Sequence, residues 1–524
     1  MGNKISRLKR LEEALERKQR QKDLEADQAL HKQQLQKHLA NHPHERKPIT
    51  RRTLLEAGVY STVGYMLGPS IATILGTLSE EAYAQVMGEC PTPPPAGVGP
   101  APFINLHLSG GYQPLSAVTP RMTNGNRLDS YTRLGLGTAP AFVNNVFANR
   151  AELFDNGANQ GFLRGLLASA QATTLSNAAL VTVPVRDNGD SDQRSSILGL
   201  ISRAGRAGAK LNYLRQGGEA DTGISGLPTF GITTSVRPLQ VNNINSVLNA
   251  IQPTGALARL TTAQQLRLGR AIQSLNAAQA ASITGLNGGP QMAKLAQCAT
   301  DQNIKNLEGG GAAINPRDIA GMAAIWNNFA QTNGVVTGNF NNDAISAMVV
   351  NVLNGNAAGA AINVGGYDIH GGGNNSRQDQ ETGAFNIGLC VGRMLESARL
   401  LNSKVFIQIT TNGAVVCDGG QPNSSFNNDD NSGNCHGAHH FIAYSPAAPV
   451  ATVSALPAQI GGLNARGNVD NGNGNFTTNM DDGGAAVFYN YCMLSGGGEA
   501  LFDRTMAGLK TYTAAQKAFM RKIA

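Results

Sequence analysis

The sequence predicts an α/β domain with a mostly parallel central sheet and helices on both of its faces. Three observations predict it. Short apolar and β-branched runs alternate with longer helix-patterned runs along residues 103–524. The short runs are nearly continuous in apolar character, as strands buried on both faces are. Apolar residues make up 41% of the 524 positions, enough for a large core in one domain or several. Strands separated by helices favour parallel pairing through crossovers.

Residues 1–48 form a charged, helix-patterned tail, with twelve Lys/Arg against seven Asp/Glu. Ile5, Leu8, Leu11 and Leu15 make a short apolar stripe that fades before a heptad repeat is established. The tail reads as a solvated helix. A short coiled coil or a basic foot on anionic lipid is the sharper alternative. The opening MGNKIS also fits a myristoylation pattern, which an exported bacterial protein does not use.

Residues 49–84 read as an export signal or membrane anchor. Arg51 and Arg52 precede 22 uncharged positions, 57–78, long enough to span a bilayer. Ala82 and Ala84 supply the small residues of a signal-peptidase site before Gln85. Residues 85–102 include CPTPPPAGVGPAP, a stiff proline-rich linker. From residue 85 onward the charge balance is close to neutral, so the body carries no electrostatic footprint for nucleic acid.

In the body, the strand candidates are 103–109, 178–185, 360–367, 404–411 and 440–445. The helical candidates are 191–206, 240–252, 261–283, 290–306, 317–330, 343–354, 383–402, 484–494 and 498–509. Residues 210–355 look mainly helical and inserted. The 62 glycines and abundant asparagine mark a loop-rich chain, and charged residues are only 15%. Six cysteines, all after residue 85 and without a C-x-x-C pair, fit disulfides of an oxidising compartment. Cys417–Cys435 is the favoured pairing because it closes a polar loop; buried free thiols are the alternative.

Chemistry in such sheets sits beyond the carboxyl ends of the strands. Ser109, Asp368, His370 and Thr410–Asn412 fall there, and NCHGAHH (434–440) leads into the last strand candidate. Three of the nine histidines fall within five positions, at His436, His439 and His440. Asp368-x-His370 also fits a simple Asx turn. His107, inside a strand, reads as a core histidine with its hydrogen bonds met. Asp187, Asp190 and Asp192 offer loop oxygens for calcium without EF-hand spacing.

Thr50-Arg51-Arg52-Thr53-Leu54-Leu55, then SGG, YDIH and the CHGAHH turn resemble, in order and spacing, a twin-arginine-exported bacterial family of unknown function. That family is assigned to the alkaline phosphatase/sulfatase superfamily. The likeness covers about residues 50–510. It implies an alkaline-phosphatase-like domain over 103–524, exported to the periplasm or cell surface by the twin-arginine machinery. If uncleaved, 57–78 would anchor it in the inner membrane. It also implies two divalent ions on Asp and His ligands, with a Ser or Thr attacking a phosphate or sulfate ester.

Carried over residue by residue, the likeness is incomplete. Gln113 stands where the family has its first Asp, Thr411 where it has Glu, Ala414 where it has Arg, and Cys435 where it has Asp. Asp368, His370 and His436 are kept, and His439 is a further ligand. These four imply a site for one divalent ion, zinc or manganese. Gln113 and Cys435 are degenerate ligand positions for a second. Ser191, Ser195 and Ser196 lie where a nucleophile is sought. The expectation is an exported cell-envelope protein whose degenerate domain binds an envelope partner or plays a structural role. The alternative is a metal-dependent phosphate- or sulfate-ester hydrolase of the periplasm.

Overall fold

The computed structural model describes residues 100–524 with breaks, the longest at 187–195, 218–237, 252–259, 331–339, 368–375, 412–435, 471–478 and, apart from three single positions, 284–313. The tail, Arg51, Arg52, the 57–78 span, Ala82, Ala84 and the linker to residue 99 lie outside the described residues. Among the described residues no helix is long and apolar enough to cross a membrane.

The strands are β1 (Phe103–Leu108), β2 (Ala141–Val143), β3 (Leu153–Asp155), β4 (Ala178–Arg186), β5 (Leu211–Gln216), β6 (Leu239–Gln240), β7 (Ala357–Val364), β8 (Val405–Thr411) and β9 (His436–Tyr444). Seven form one sheet in the order β4-β9-β8-β1-β7-β5-β6, and β2 pairs with β3 as a separate ribbon. The large sheet is mixed. β1 pairs parallel with β7 and β8, β7 with β5, and β5 with β6. β9 runs antiparallel to both β8 and β4.

Helices cover both faces. Those of six residues or more, among the described residues, are α1 (Gly161–Ser169), α2 (Leu198–Arg203), α3 (Ile244–Ile251), α4 (Thr262–Ile283), α5 (Asn342–Leu353), α6 (Ser376–Leu400), α7 (Met480–Leu494), α8 (Gly498–Met506) and α9 (Ala514–Met520). On one face Ile104, Leu106, Leu108, Ile407 and Ile409 pack with α1, α5 and α6. On the other, Phe103, Phe406 and Phe441 pack with α2, α7 and α8. There Phe406 stacks on Phe441 at 5.1 Å and meets the edge of Tyr491 at 5.5 Å.

Every residue of β1 and β8 is buried, which is why apolar side chains dominate both. α1 and α6 touch backbone to backbone. A Cβ on Gly165 would stand 2.0 Å from the Phe385 carbonyl oxygen, and one on Gly388 2.2 Å from that of Phe162. β4 is an edge strand containing Pro184. The Thr182 N–H points outward to the Ala458 carbonyl at 2.9 Å. Position 184 shares that direction, so proline there removes no bond to β9. At the amino ends of β1 and β7, Arg206 donates to the carbonyls of Pro100 and Ala358. Tyr491 donates to that of Ala101 at 2.8 Å.

Two expectations need correction. The supposed insertion at 210–355 supplies β5 and β6 to the sheet and α5 to the main core. LNYLRQ was unreadable as a strand because Asn, Arg and Gln break its apolar run. The helix expected over 317–330 breaks into short turns, with Asn327, Asn328 and Phe329 at φ of 50°, 52° and 63°. Of the six cysteines, Cys390 and Cys492 are free and buried on opposite faces of the sheet, so they cannot pair with each other. Cys417 and Cys435 lie outside the described residues.

Candidate functional site

β1, β5, β7 and β8 share one direction, and β9 begins where they end. Leu108 is level with both Val364 and Thr411. The chain after β7 passes through Tyr367, whose N–H bonds to the Ser109 carbonyl at 3.1 Å and whose ring meets Tyr112 edge-on at 5.7 Å. The connections after β1, β7 and β8 therefore leave from one carboxyl edge.

Asp368, His370, Gln113, Cys435, Ala414, Ser191, Ser195 and the aspartates 187, 190 and 192 lie outside the described residues. His436 is placed by its backbone alone, opposite Arg186 in the β9–β4 ladder. Ser196 is buried just before α2, and its hydroxyl accepts from the Leu198 N–H at 3.3 Å. Thr411 donates to the Leu108 carbonyl at 3.0 Å. Among the described residues, no three His, Cys, Asp or Glu side chains come together as a metal site.

What the described residues do bring together is a buried polar layer, on the face covered by α2 and α7. β1 reads F-I-N-L-H-L and then Ser109; β8 reads V-F-I-Q-I-T-T. Side chains alternate between faces. Ile104, Leu106 and Leu108 go to one side, and Asn105, His107 and Ser109 to the other. Asn105 is level with Gln408, and His107 is level with Thr410 on one side and Asn363 on the other. His439, level with Val183, continues the same row beyond Thr410. With neighbouring strands about 4.8 Å apart, the His107 and His439 backbones flank Thr410 at about 10 Å.

The hydrogen bonds assign the protons. The Gln408 Oε1 accepts from the Ile197 N–H at 3.0 Å. Its Nε2 therefore donates to His439 Nδ1, also at 3.0 Å. That nitrogen is bare, and the ring keeps its hydrogen on Nε2. Thr410 donates to Asn105 Oδ1 at 3.3 Å, so His107 Nδ1 donates to Thr410 Oγ1 at 3.0 Å. The lone pair of His107 is then on Nε2. Ser109 donates to Asn363 Oδ1 at 2.7 Å. His107 Nε2, His439 Nε2 and Asn105 Nδ2 are buried without a hydrogen-bond partner among the described residues. His107 is thus half satisfied, where a fully satisfied core histidine was expected.

Burial pushes His107 down to about 4. Burial, and then the neighbouring His440, push His439 down to about 3. Both imidazoles are neutral at pH 7. α7 closes over this row at Gly483, where a Cβ would stand 2.2 Å from Val185 Cγ1 and 3.5 Å from His439 Nε2.

His439 was expected to ligate metal. A ligating nitrogen must offer a lone pair, and here Nε2 carries the hydrogen while Nδ1 is occupied by Gln408. In this arrangement His439 accepts at Nδ1 and keeps on Nε2 a hydrogen that has no acceptor among the described residues. His107 Nε2 has the lone pair a cation or a proton would take, from a residue that sequence reasoning set aside. The signal was present: polar residues of one parity in two buried strands, Asn105, His107 and Ser109 in one and Gln408 and Thr410 in the other. His440 points to the opposite face, its Nδ1 2.8 Å from Thr182 Oγ1. Comparison with protein-family models, with curated proteins and with solved structures gives no match.

Proposed function

We infer that the chain is an exported cell-envelope protein whose α/β domain is a degenerate relative of the alkaline phosphatase/sulfatase superfamily. In this reading it acts by binding or as a structural component, without ester hydrolysis. The observation that carries the reading is the composition of the polar layer at the carboxyl end of β1 and β8. Amides, hydroxyls and neutral imidazoles occupy it, and Gln408 fixes the His439 hydrogen on Nε2. Amides and hydroxyls supply their own donors and acceptors, so Gln408 with His439 Nδ1, and Asn105 with Thr410 and His107 Nδ1, are linked without a cation. A catalytic pair of ions needs carboxylate oxygens to hold it. The substitutions at Gln113 and Cys435 point the same way.

Asp368, His370 and His436 remain the residues that would hold a single divalent ion, which would supply a Lewis-acid centre at that edge. Metal analysis of protein exported by its own machinery tests the reading, together with turnover of chromogenic phosphate and sulfate esters. The expected result is no turnover above background, with or without added zinc or manganese. Turnover that Asp368→Asn abolishes would overturn the inference and restore the hydrolase.

A further inference from the structure

We propose that a recess on the outer edge of β4, away from the polar layer, binds a small oxyanion of sulfate or phosphate size through Arg150, Arg121 and Thr119. The 458–460 segment covers this edge. The Ala458 carbonyl accepts from the Thr182 N–H at 2.9 Å, and the Ile460 N–H donates to the Thr182 carbonyl at 2.8 Å. Beside it, Thr119, Arg121, Arg150, Glu152 and Gln459 line a recess with room for roughly two water molecules.

Charge is the first argument. Arg121 reaches Glu152 at 2.9 Å, and Arg127 reaches it at 2.7 Å and 3.0 Å. Two guanidiniums therefore share one carboxylate, whose side chain is only 9% exposed. The guanidinium of Arg150 makes no ion pair or hydrogen bond among the described residues and adds a third positive charge. The cluster carries a net positive charge, and guanidinium forks match oxyanion geometry.

Backbone and burial agree. Arg150 sits at φ 54°, in the left-handed region that residues with a Cβ rarely occupy, held by its N–H to the Phe147 carbonyl at 3.0 Å. Thr119 Oγ1 is sealed from solvent and has no hydrogen-bond partner among the described residues. An unpaired buried hydroxyl is costly, and an anion oxygen in the recess would accept a hydrogen bond from it. The recess is too small for a large organic ligand, and an inorganic oxyanion would enter it with part of its oxygens.

The experiment is thermal unfolding of the full chain titrated with inorganic sulfate and with phosphate, each against chloride at matched ionic strength. Sulfate stabilises most folds by exclusion from the surface, so the readout is the difference between the native protein and Arg150→Ala. The expected result is a saturable rise in midpoint with either oxyanion. Arg150→Ala should weaken it by at least ~10-fold in apparent affinity, the loss of one charge-assisted contact. Arg267→Ala, on exposed α4, removes the same charge elsewhere and should change nothing. Thr119→Val should weaken it too; Arg150 is exposed, so its variant folds whether or not the Thr119 variant does. Equal rises with chloride, or an Arg150→Ala protein that still saturates with unchanged affinity, would overturn the proposal.

Discussion

Lowering the pH from 7 to 5 should cost this protein much of its stability, and two histidines set the cost. His107 is held near 4 and His439 near 3 in the folded chain, against 6.5 when unfolded. Between those values the unfolded chain binds a proton at each site and the folded chain does not. Stability therefore falls as pH falls, by about 1.4 kcal/mol per unit per group. pH 5 lies about 1.5 units below the unfolded value of each imidazole, so the pair removes about 4 kcal/mol. A typical domain has about 5–15 kcal/mol in all. Few carboxylates titrate above pH 5, so the window isolates the imidazoles. Urea unfolding followed by the fluorescence of Trp326, the single and fully buried tryptophan, measures it directly. His107→Gln and His439→Gln should each remove about half of the pH slope. A flat profile between pH 7 and 5 would refute the burial argument, as would a double variant that keeps the full slope.

Three further outcomes follow from the packing. Gly388→Ala puts a methyl group 2.2 Å from the Phe162 carbonyl oxygen, forcing α1 and α6 apart. It should cost about 1–3 kcal/mol or more by thermal melting, while Gly365→Ala, with open space around it, should change stability by less than about 0.5 kcal/mol. Asn490 is fully buried and ties down the C-terminus. Its Oδ1 accepts from the Lys522 and Ile523 N–H groups at 2.8 Å and 2.9 Å, and its Nδ2 donates to the Met520 carbonyl at 2.9 Å. Asn490→Ala should cost about 2–4 kcal/mol, measured by urea unfolding, and expose the last residues to carboxypeptidase. In histidine-labelled protein, nitrogen NMR at pH 7 should show His439 protonated on Nε2 and His107 on Nδ1, two opposite tautomers in one layer.

The sheet was legible wherever burial on both faces made a strand predominantly apolar. β1, β4, β7, β8 and the inner part of β9 all announced themselves. β5 was not legible, because LNYLRQ mixes long polar side chains with apolar ones and lies among helix-patterned segments. The mixed character of the sheet was hidden for a different reason. Nothing in HFIAYS says that β9 runs against its neighbours; only the pairing registers with β8 and β4 show it. The polar layer was half legible. Asn105, His107, Gln408 and Thr410 stood in plain view, but runs dominated by Ile, Leu and Phe drew the eye to apolar content and away from the period-two alternation beneath it. The histidine cluster at 436–440 drew attention for its density alone. The structure separates it by parity: His439 and His440 face opposite sides of the sheet, one toward Gln408 and one toward Thr182.

Whether this layer is a closed scaffold or a latent cation site turns on one amide, and Gln408→Glu tests it. The glutamate fills the same volume. One carboxylate oxygen still accepts from the Ile197 N–H, now at 3.0 Å from the glutamine oxygen. The other faces His439 Nδ1, which the Gln408 nitrogen now approaches at 3.0 Å as a donor. A carboxylate cannot donate, so Nδ1 must take the hydrogen and the lone pair moves to Nε2. The nearby negative charge also favours the protonated ring and raises its pKa. The expected spectrum has His439 switched to the Nδ1–H form, with the acid sensitivity contributed by this residue reduced. Its Nε2 then has the electronic form that carboxylate-oriented metal ligands have. If His439 in the variant keeps its hydrogen on Nε2, the amide does not set the tautomer, and the case for Gln408 fixing that hydrogen fails with it.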